Sequence, residues 1–296
     1  MRTFATEPLS RLAGEDFGCV IRNRGGGISD VDRDEVISLY KRHGAVLFRG
    51  FELDGVAGLR EFTEKFCGSF ITYPSNKRIR ISDDDTVQSV DCDMNPIKVH
   101  SELSFLPYPL RPEVSWFYCI RPASAGGQTT LCDGLRVARA LSAEARAALE
   151  SQPIKYVMVF PGAAWQRYFH TSEREEVTAV LKRLSLDGIF EMVGDELHLN
   201  HVTRALGPSK FCEEHVFANN IVFNGPEAPF PTFEDGRIIP AWVYYELDRV
   251  AEELTVEVDW EANDLLMFDN TRVLHGRREV FDASRLIYTR FGAVNF

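Results

Sequence analysis

The sequence predicts a mainly β (α+β) fold whose second half forms a β-sandwich or jelly roll with helices packed outside. Three observations predict it. Short β-rich runs recur along the chain, bounded by Gly, Pro, Asn and Asp as strands are. These runs are not separated by regular helices, which argues against a doubly wound parallel sheet. The 296 residues hold no internal repeat, no low-complexity segment and no long Pro/Gly/Ser linker. That length allows two domains, but all-β barrels and sandwiches often run long as one. The expectation is a single domain over residues 1–296, with its core at about 30–294.

The elements read in order as follows. Gly25-Gly26-Gly27 is a loop without the GxGxxG spacing of a dinucleotide site. Residues Asp30 to His43 place Val31, Val36, Ile37 and Tyr40 at helical spacing, and Gly44 is a stop signal. Ala45–Arg49 is a strand, and a helix follows from about Val56 to Phe66. Val114–Arg121 is a strong strand. Ser142 is a helix N-cap with Glu144 in the first turn. Lys155–Phe160 is a strand and Thr171–Leu184 a helix, and Val216–Phe223 reads as a strand. Pro240–Leu254 is a helix whose proline suits the first turn. Leu254–Trp260, Asp264–Asp269 and Leu286–Val294 complete the strands.

Composition excludes several functions. There are 33 Lys+Arg against 44 Asp+Glu, a formal net charge of −11. That is the wrong sign for a nucleic-acid surface or for docking on anionic lipid. No apolar run approaches a membrane span, and the N-terminus shows no continuous apolar segment of a secretory signal. Six cysteines form no CxxC, so reduced thiols in a cytoplasmic protein are expected.

Seven histidines are the candidate chemistry. His43 falls at a helix C-terminus, where it acts as a cap or dipole partner. His170, His198, His201 and His215 lie in the least regular stretch. His198 and His201 have a chelating spacing for a helix, but GDELHLNHVTRALG reads as a hairpin, so these are expected to be exposed polar residues. His100 differs. In an extended segment residues i and i+2 share a face, so His100 and Glu102 can offer a nitrogen and a carboxylate oxygen to one cation. A lone HxE is common. His275 adds weight, because it follows an apolar strand and a polar turn and so sits at a sheet edge or barrel mouth. Two His and one carboxylate on one face leave three metal positions open, as in non-haem Fe(II) oxygenases. Zinc hydrolases use the same ligand types.

Two further segments bear on the reaction. Ala125–Leu131 (AGGQTTL) follows the strong strand with a glycine turn. Arg285, ten residues after His275, can return to the metal mouth and bind a carboxylate with two prongs, and Thr129 can add a hydroxyl hydrogen bond. Arg78 and Arg80 share a strand face in Asn76–Ile81 and are candidates for a substrate anion, or a solvated face answering Asp83-Asp84-Asp85. Arg290 is a third substrate candidate, although a regular strand points it away from Arg285 and only a bulge would turn both inward.

HSE at 100–102, GGQTTLCDG at 126–134, DNTRVLHGRRE at 269–279 and Arg285, with GAVLFRGF at 44–51, stand in the order of one family. The chain resembles the TauD/TfdA-like iron(II)/2-oxoglutarate-dependent dioxygenases over roughly residues 30–294. The resemblance implies a double-stranded β-helix (jelly roll) core with flanking helices. It implies iron bound by His100, Glu102 and His275, and 2-oxoglutarate chelating that iron with its far carboxylate on Arg285 and Thr129. With O2, such an enzyme oxidises an unactivated C–H and releases succinate and CO2. Hydroxylation is the default; desaturation or ring closure uses the same iron site. Many relatives have Asp where Glu102 stands, which bears on substrate class. Halogenating relatives lack that carboxylate, so Glu102 excludes them. The expected substrate is a small amino-acid-like or carboxylate-bearing molecule of specialised metabolism, free or tethered to a carrier. Two other readings are a metal-dependent cupin-like hydrolase or isomerase and a non-enzymatic ligand-binding jelly roll. Succinate release separates the first, and indifference to His100 and Arg285 the second.

Overall fold

A computed structural model describes residues 4–12, 15–72, 75, 77–223 and 229–296. The chain opens with two nine-residue strands, β1 (Phe4–Leu12) and β2 (Glu15–Asn23), and a 3-10 turn at Ile28–Asp30. Next come α1 (Arg33–His43), β3 (Ala45–Arg49), α2 (Gly55–Glu64), β4 (Cys67–Ile71), β5 (Val87–Ser89), β6 (Ile97–His100), β7 (Val114–Arg121) and β8 (Thr129–Asp133). A long excursion follows: α3 (Gly134–Ala140), α4 (Ala143–Glu150), β9 (Ile154–Phe160), α5 (Gly162–Phe169), α6 (Arg174–Arg183), β10 (Phe190–Val193), β11 (Glu196–Thr203), β12 (Thr232–Phe233) and α7 (Ala241–Glu253). The last strands are β13 (Thr255–Val258), β14 (Leu265–Asp269), β15 (Val273–Arg277) and β16 (Leu286–Val294).

The strands form a jelly roll. The large sheet runs β1-β2-β3-β14-β7-β16-β4, with β5 also paired to β16, and the facing sheet runs β13-β8-β15-β6. Among the described strand pairs only β2 with β3 is parallel. The excursion carries its own sheet, β10-β11-β9-β12.

Period-two alternation sorts the large sheet's side chains onto two cores. On β14, Leu265 and Met267 pack with Phe62 of α2 and with Val36 and Tyr40 of α1. Leu266 and Phe268 face inward with Leu131 and Val273 of the facing sheet. On β7, Trp116 and Tyr118 join the first core, Phe117 and Cys119 the second. Both faces are buried, which is why DLLMFD and VSWFYC are apolar runs instead of alternating ones. The sandwich interior is therefore narrow, and any cavity must open where small or polar side chains replace this packing.

Most expected elements are present. Gly44 at φ 74° caps α1, and the Ser142 hydroxyl accepts from Ala145 N to start α4. Val216–Phe223, expected as a strand, is instead a loop. The Asn219 side chain accepts from Ile221 N at 3.0 Å, and Phe223 N donates to the Asn220 carbonyl at 3.1 Å. These local bonds take donors that a ladder would use. The helices α3 and α5 and the hairpin β1–β2 were not foreseen. A helix starts at Gly134 because the Asp133 side chain accepts from Leu135 N. No helix among the described residues is long and apolar enough to cross a membrane. The six cysteines form no disulfide.

Candidate active site

The facing sheet builds a cluster of metal-ligating groups. His100 ends β6 and His275 sits in the middle of β15, directly across the strand pair from it. Their rings lie 4.4 Å apart, centroid to centroid. Glu102 completes the cluster, and one donor atom from each residue lies within 4.8 Å of the others. Glu102 does not reach this place by strand pleat, as the i,i+2 argument supposed, since β6 has ended and Leu103 turns at φ 51°. Asn270 places it. The Asn270 side chain accepts from Glu102 N at 2.7 Å and donates to the Glu102 carbonyl at 2.9 Å. The β14–β15 turn thus holds the backbone of a residue 168 positions away.

The electrostatics suit a cation. His100 Nδ1 lies 2.9 Å from the Lys98 carbonyl. A carbonyl only accepts, so Nδ1 carries the proton and Nε2 keeps its lone pair toward the cluster. Burial, with repulsion from His275, lowers the His100 pKa to about 4, so the imidazole is neutral at pH 7. Burial alone would neutralise Glu102, but Arg78 and the two imidazoles outweigh it and hold the carboxyl well below its usual range. Glu102 Oε2 is 3.5 Å from His275 Nε2 and 4.0 Å from His100 Nε2. Two imidazole nitrogens and one carboxylate gathered on one side are a donor set that can hold a divalent metal with positions left open.

The same cavity has a cationic far end. Its lining includes His100, Glu102, His275, Thr129 and Arg285. Arg285 Nε is buried with no hydrogen-bond partner among the described residues. Burial, then the nearby Arg277, lowers its pKa to about 10. Gly127 makes room for it: at φ 72° it lacks a side chain, and a Cβ there would lie 3.0 Å from Arg285 Cδ. Trp260 Nε1 donates to the Thr129 hydroxyl at 3.0 Å, leaving that hydroxyl's own hydrogen free to be donated. An unpaired buried guanidinium beside a free hydroxyl is a receptor for a carboxylate.

The three substrate candidates separate. Arg78 lines the cavity, donating to Glu102 and Asp91. Arg80 does not: it is exposed and donates to the Ser82 carbonyl, because the backbone at 77–79 is not a strand and the two arginines share no face. Arg290 lies on the opposite face of β16, under α2, bonded to the Arg60 carbonyl and the Thr63 hydroxyl. No bulge turns it inward: the one irregularity between β16 and β7 comes at Leu286/Ile287. His43 and His170 end helices, while His198 and His215 each meet a nearby Glu on the surface. His201 departs from expectation: it is half-buried and bonded to the Phe105 carbonyl. Sequence reasoning missed Asn270, Asn220 and Arg277. Arg277 stood two residues after His275 on the same strand face, which was signal enough. Asn270 had only its place inside the DNTRVLH phrase.

Comparison with known proteins decides the family. Residues 23–290 match the Taurine catabolism dioxygenase TauD, TfdA family. The chain belongs to this family. It is 24% identical over 285 residues to the dapdiamide synthesis protein DdaC of Enterobacter agglomerans, covering 86% of this chain and 82% of that one. It is 25% identical over 276 residues to a clavaminate synthase-like protein of Arabidopsis thaliana, covering 84% and 82%. A taurine dioxygenase from Burkholderia xenovorans superposes with a TM-score of 0.64 at 16% identity, covering 99% of this chain and 90% of that one. PvcB, an Fe, alpha-ketoglutarate dependent oxygenase from an isonitrile synthetic pathway, gives 0.60 at 14%, covering 98% and 91%. At such identities the structures establish the shared fold. The matched family is one of dioxygenases, so the protein described here is a dioxygenase by family.

Proposed function

We propose that the protein oxidises an unactivated C–H bond of a small amino-acid-like or carboxylate-bearing molecule, by hydroxylation as the default. His100, Glu102 and His275 hold the iron. Arg285 and Thr129 hold the far carboxylate of 2-oxoglutarate. The observation that carries this reading is the Arg285 Nε, buried and without a hydrogen-bond partner among the described residues, in the cavity of the His-Glu-His cluster. Hydrolysis at a zinc site does not by itself call for a buried anion receptor, whereas a dicarboxylate co-substrate does. When bound, iron and 2-oxoglutarate supply with O2 the oxidising power, and succinate and CO2 leave. The chain's own part is geometric: it fixes the ligands, neutralises the co-substrate's charge and walls the reacting C–H from water with Phe105, Phe117, Phe223 and Phe291. Asn220 and Thr289 are neutral polar groups in the lining that can orient the substrate, and Arg78 lines the same cavity with its Nη1 buried and without a hydrogen-bond partner among the described residues. The synthetic pathways named for DdaC and PvcB support a place in specialised metabolism, with the substrate free or attached to a carrier. The whole chain acts as one domain in the cytoplasm, without nucleic-acid or membrane partners, consistent with its net charge of −11.

Anaerobic addition of Fe(II) and 2-oxoglutarate tests the reading. The expected result is a weak visible charge-transfer band, lost in His100→Ala and His275→Ala while circular dichroism is unchanged. An iron-replete, active His275→Ala protein overturns the ligand set. Glu102→Ala should lose hydroxylation without gaining chlorination in chloride buffer, read by mass analysis of products. Wild-type hydroxylation in that variant would show that Glu102 is not a ligand.

A further inference from the structure

The segment between β4 and β5 contributes a side chain to the metal cluster although it belongs to neither strand that carries the imidazoles. Arg78 Nη2 lies 3.2 Å from Glu102 Oε1 and 3.3 Å from Oε2. Its Nε donates to Asp91 Oδ1 at 3.1 Å. The guanidinium sits 5.1 Å over the Phe291 ring, and its side chain is 13% exposed. An Asp91–Arg78–Glu102 chain of charge-assisted bonds is therefore sealed against the cavity wall.

We propose that Arg78 is a positioning residue that makes Glu102 a one-oxygen ligand. This rests on the iron reading above. A nitrogen almost equidistant from both carboxylate oxygens occupies the space that a metal would need to chelate both. Oε2 is the carboxylate oxygen nearest both imidazole nitrogens, at 3.5 and 4.0 Å. A one-oxygen carboxylate leaves three positions open for the two donor atoms of 2-oxoglutarate and for O2. A chelating carboxylate would take one of them. The clamp also answers a problem specific to a glutamate ligand. Glu has one more rotatable bond than Asp, so its carboxylate reaches more positions and needs an outside partner to fix one.

The competing role for Arg78 is to bind an anionic substrate through Nη1. The two roles separate when substrate is absent. Arg78→Gln, Arg78→Lys and Asp91→Asn are compared with wild type by anaerobic titration with Fe(II), followed by the 2-oxoglutarate charge-transfer band, and with Co(II) by its visible spectrum. Partners behind metal ligands typically contribute 10- to 100-fold in metal affinity, so Arg78→Gln should weaken metal binding by about that factor. Arg78→Lys should recover part of it, since it restores the charge but not the planar fork. Asp91→Asn should show a smaller loss in the same direction. In turnover, kcat and the yield of product per succinate fall while KM for the substrate stays. Wild-type metal affinity in Arg78→Gln, with a raised substrate KM, overturns the proposal. If Arg78→Gln does not fold, wild-type affinity in both Arg78→Lys and Asp91→Asn overturns it equally. Failure of the iron reading itself would show separately, as metal retained by His275→Ala.

Discussion

Strand β16 and its approach carry two arginines five residues apart, one buried and one half-buried with its Nε sealed from solvent, and they lead opposite lives. Arg290 faces α2. It donates to the Arg60 carbonyl at 3.1 Å, to the Thr63 hydroxyl at 2.6 Å and to Glu64 at 3.1 Å, and its guanidinium lies 3.3 Å from the Phe70 ring centroid. Arg285 faces the sandwich interior with no carboxylate in ion-pair reach among the described residues and with Arg277 as a like-charged neighbour. Burial lowers the pKa of both, but Glu64 acts to raise that of Arg290 again. The two arginines show that burial alone does not single out a candidate anion receptor; an unanswered charge does. In the ligand-free fold Arg285 sits below its unfolded pKa, at about 10. The folded state therefore disfavours the charged form, and at neutral pH this opposes folding until an anion arrives.

Replacing each arginine by methionine, which roughly keeps volume, sharpens that contrast. Arg285→Met should raise the KM for 2-oxoglutarate about 10- to 100-fold, the ~1.5–3 kcal/mol of a bidentate charge-assisted pair. Its ligand-free melting temperature should stay or rise, because an uncompensated buried charge has gone. Steady-state kinetics with varied 2-oxoglutarate and a thermal melt read both. Should the loss fall on the substrate's KM instead, Arg285 has been given the wrong partner. Arg290→Met should do the reverse. It should lower stability by about 1–2 kcal/mol, since Thr63 and the α2 carbonyl lose a donor, and leave the KM for 2-oxoglutarate within about twofold. If both variants melt early and neither shifts that KM, the contrast fails and Arg285 is only another packing residue.

How far the sequence led depended on the range of the interaction. The runs AVLFR, VSWFYCIR and LIYTRFGAV became β3, β7 and β16 with the expected bounds. Their side chains are buried on two faces, and that burial is written in each strand by itself. Residues 216–223 form a loop although the run is apolar, because the Asn219 side chain and the Asn220 carbonyl take backbone donors that a strand ladder would use. Strand β8 was seen only as its glycine turn, although TTLCD lies between β13 and β15 and carries Thr129. In the site, the His-Glu-His set was legible from spacing and order. The holders of that set were not. Asn270 acts on Glu102 across 168 residues and Arg78 across 24, and nothing local in either segment announces the partner. Arg78 and Arg80 looked alike by alternation. Only the irregular backbone at 77–79 sends one into the cavity and the other to solvent.

The smallest expected effect bears on how the anion receptor is completed. Thr129 is buried on β8, opposite Arg277 of β15 and Val258 of β13. Trp260 Nε1 can only donate, and it donates to Thr129 Oγ1 at 3.0 Å. That bond fixes the hydroxyl as acceptor on one side and leaves its hydrogen to point elsewhere, with Arg285 and the cavity adjoining. If the far carboxylate of 2-oxoglutarate lies on Arg285, the hydroxyl supplies a second donor to a charged acceptor, worth roughly 1 kcal/mol and therefore about fivefold in KM. Thr129→Val removes that donor at nearly constant shape and also leaves the Trp260 N–H without its partner, so a fall in stability is expected beside the KM effect. Thr129→Ser separates the two. It keeps the hydroxyl, so it should restore the KM, while the missing methyl leaves a small packing defect in the melt. Trp260→Phe completes the test. It frees the hydroxyl to rotate, and the KM for 2-oxoglutarate should rise less than in Thr129→Val. An unchanged KM in Thr129→Val, with only the melt affected, would mean that the Thr129–Trp260 bond serves the strand pairing alone and that Arg285 holds the co-substrate without it.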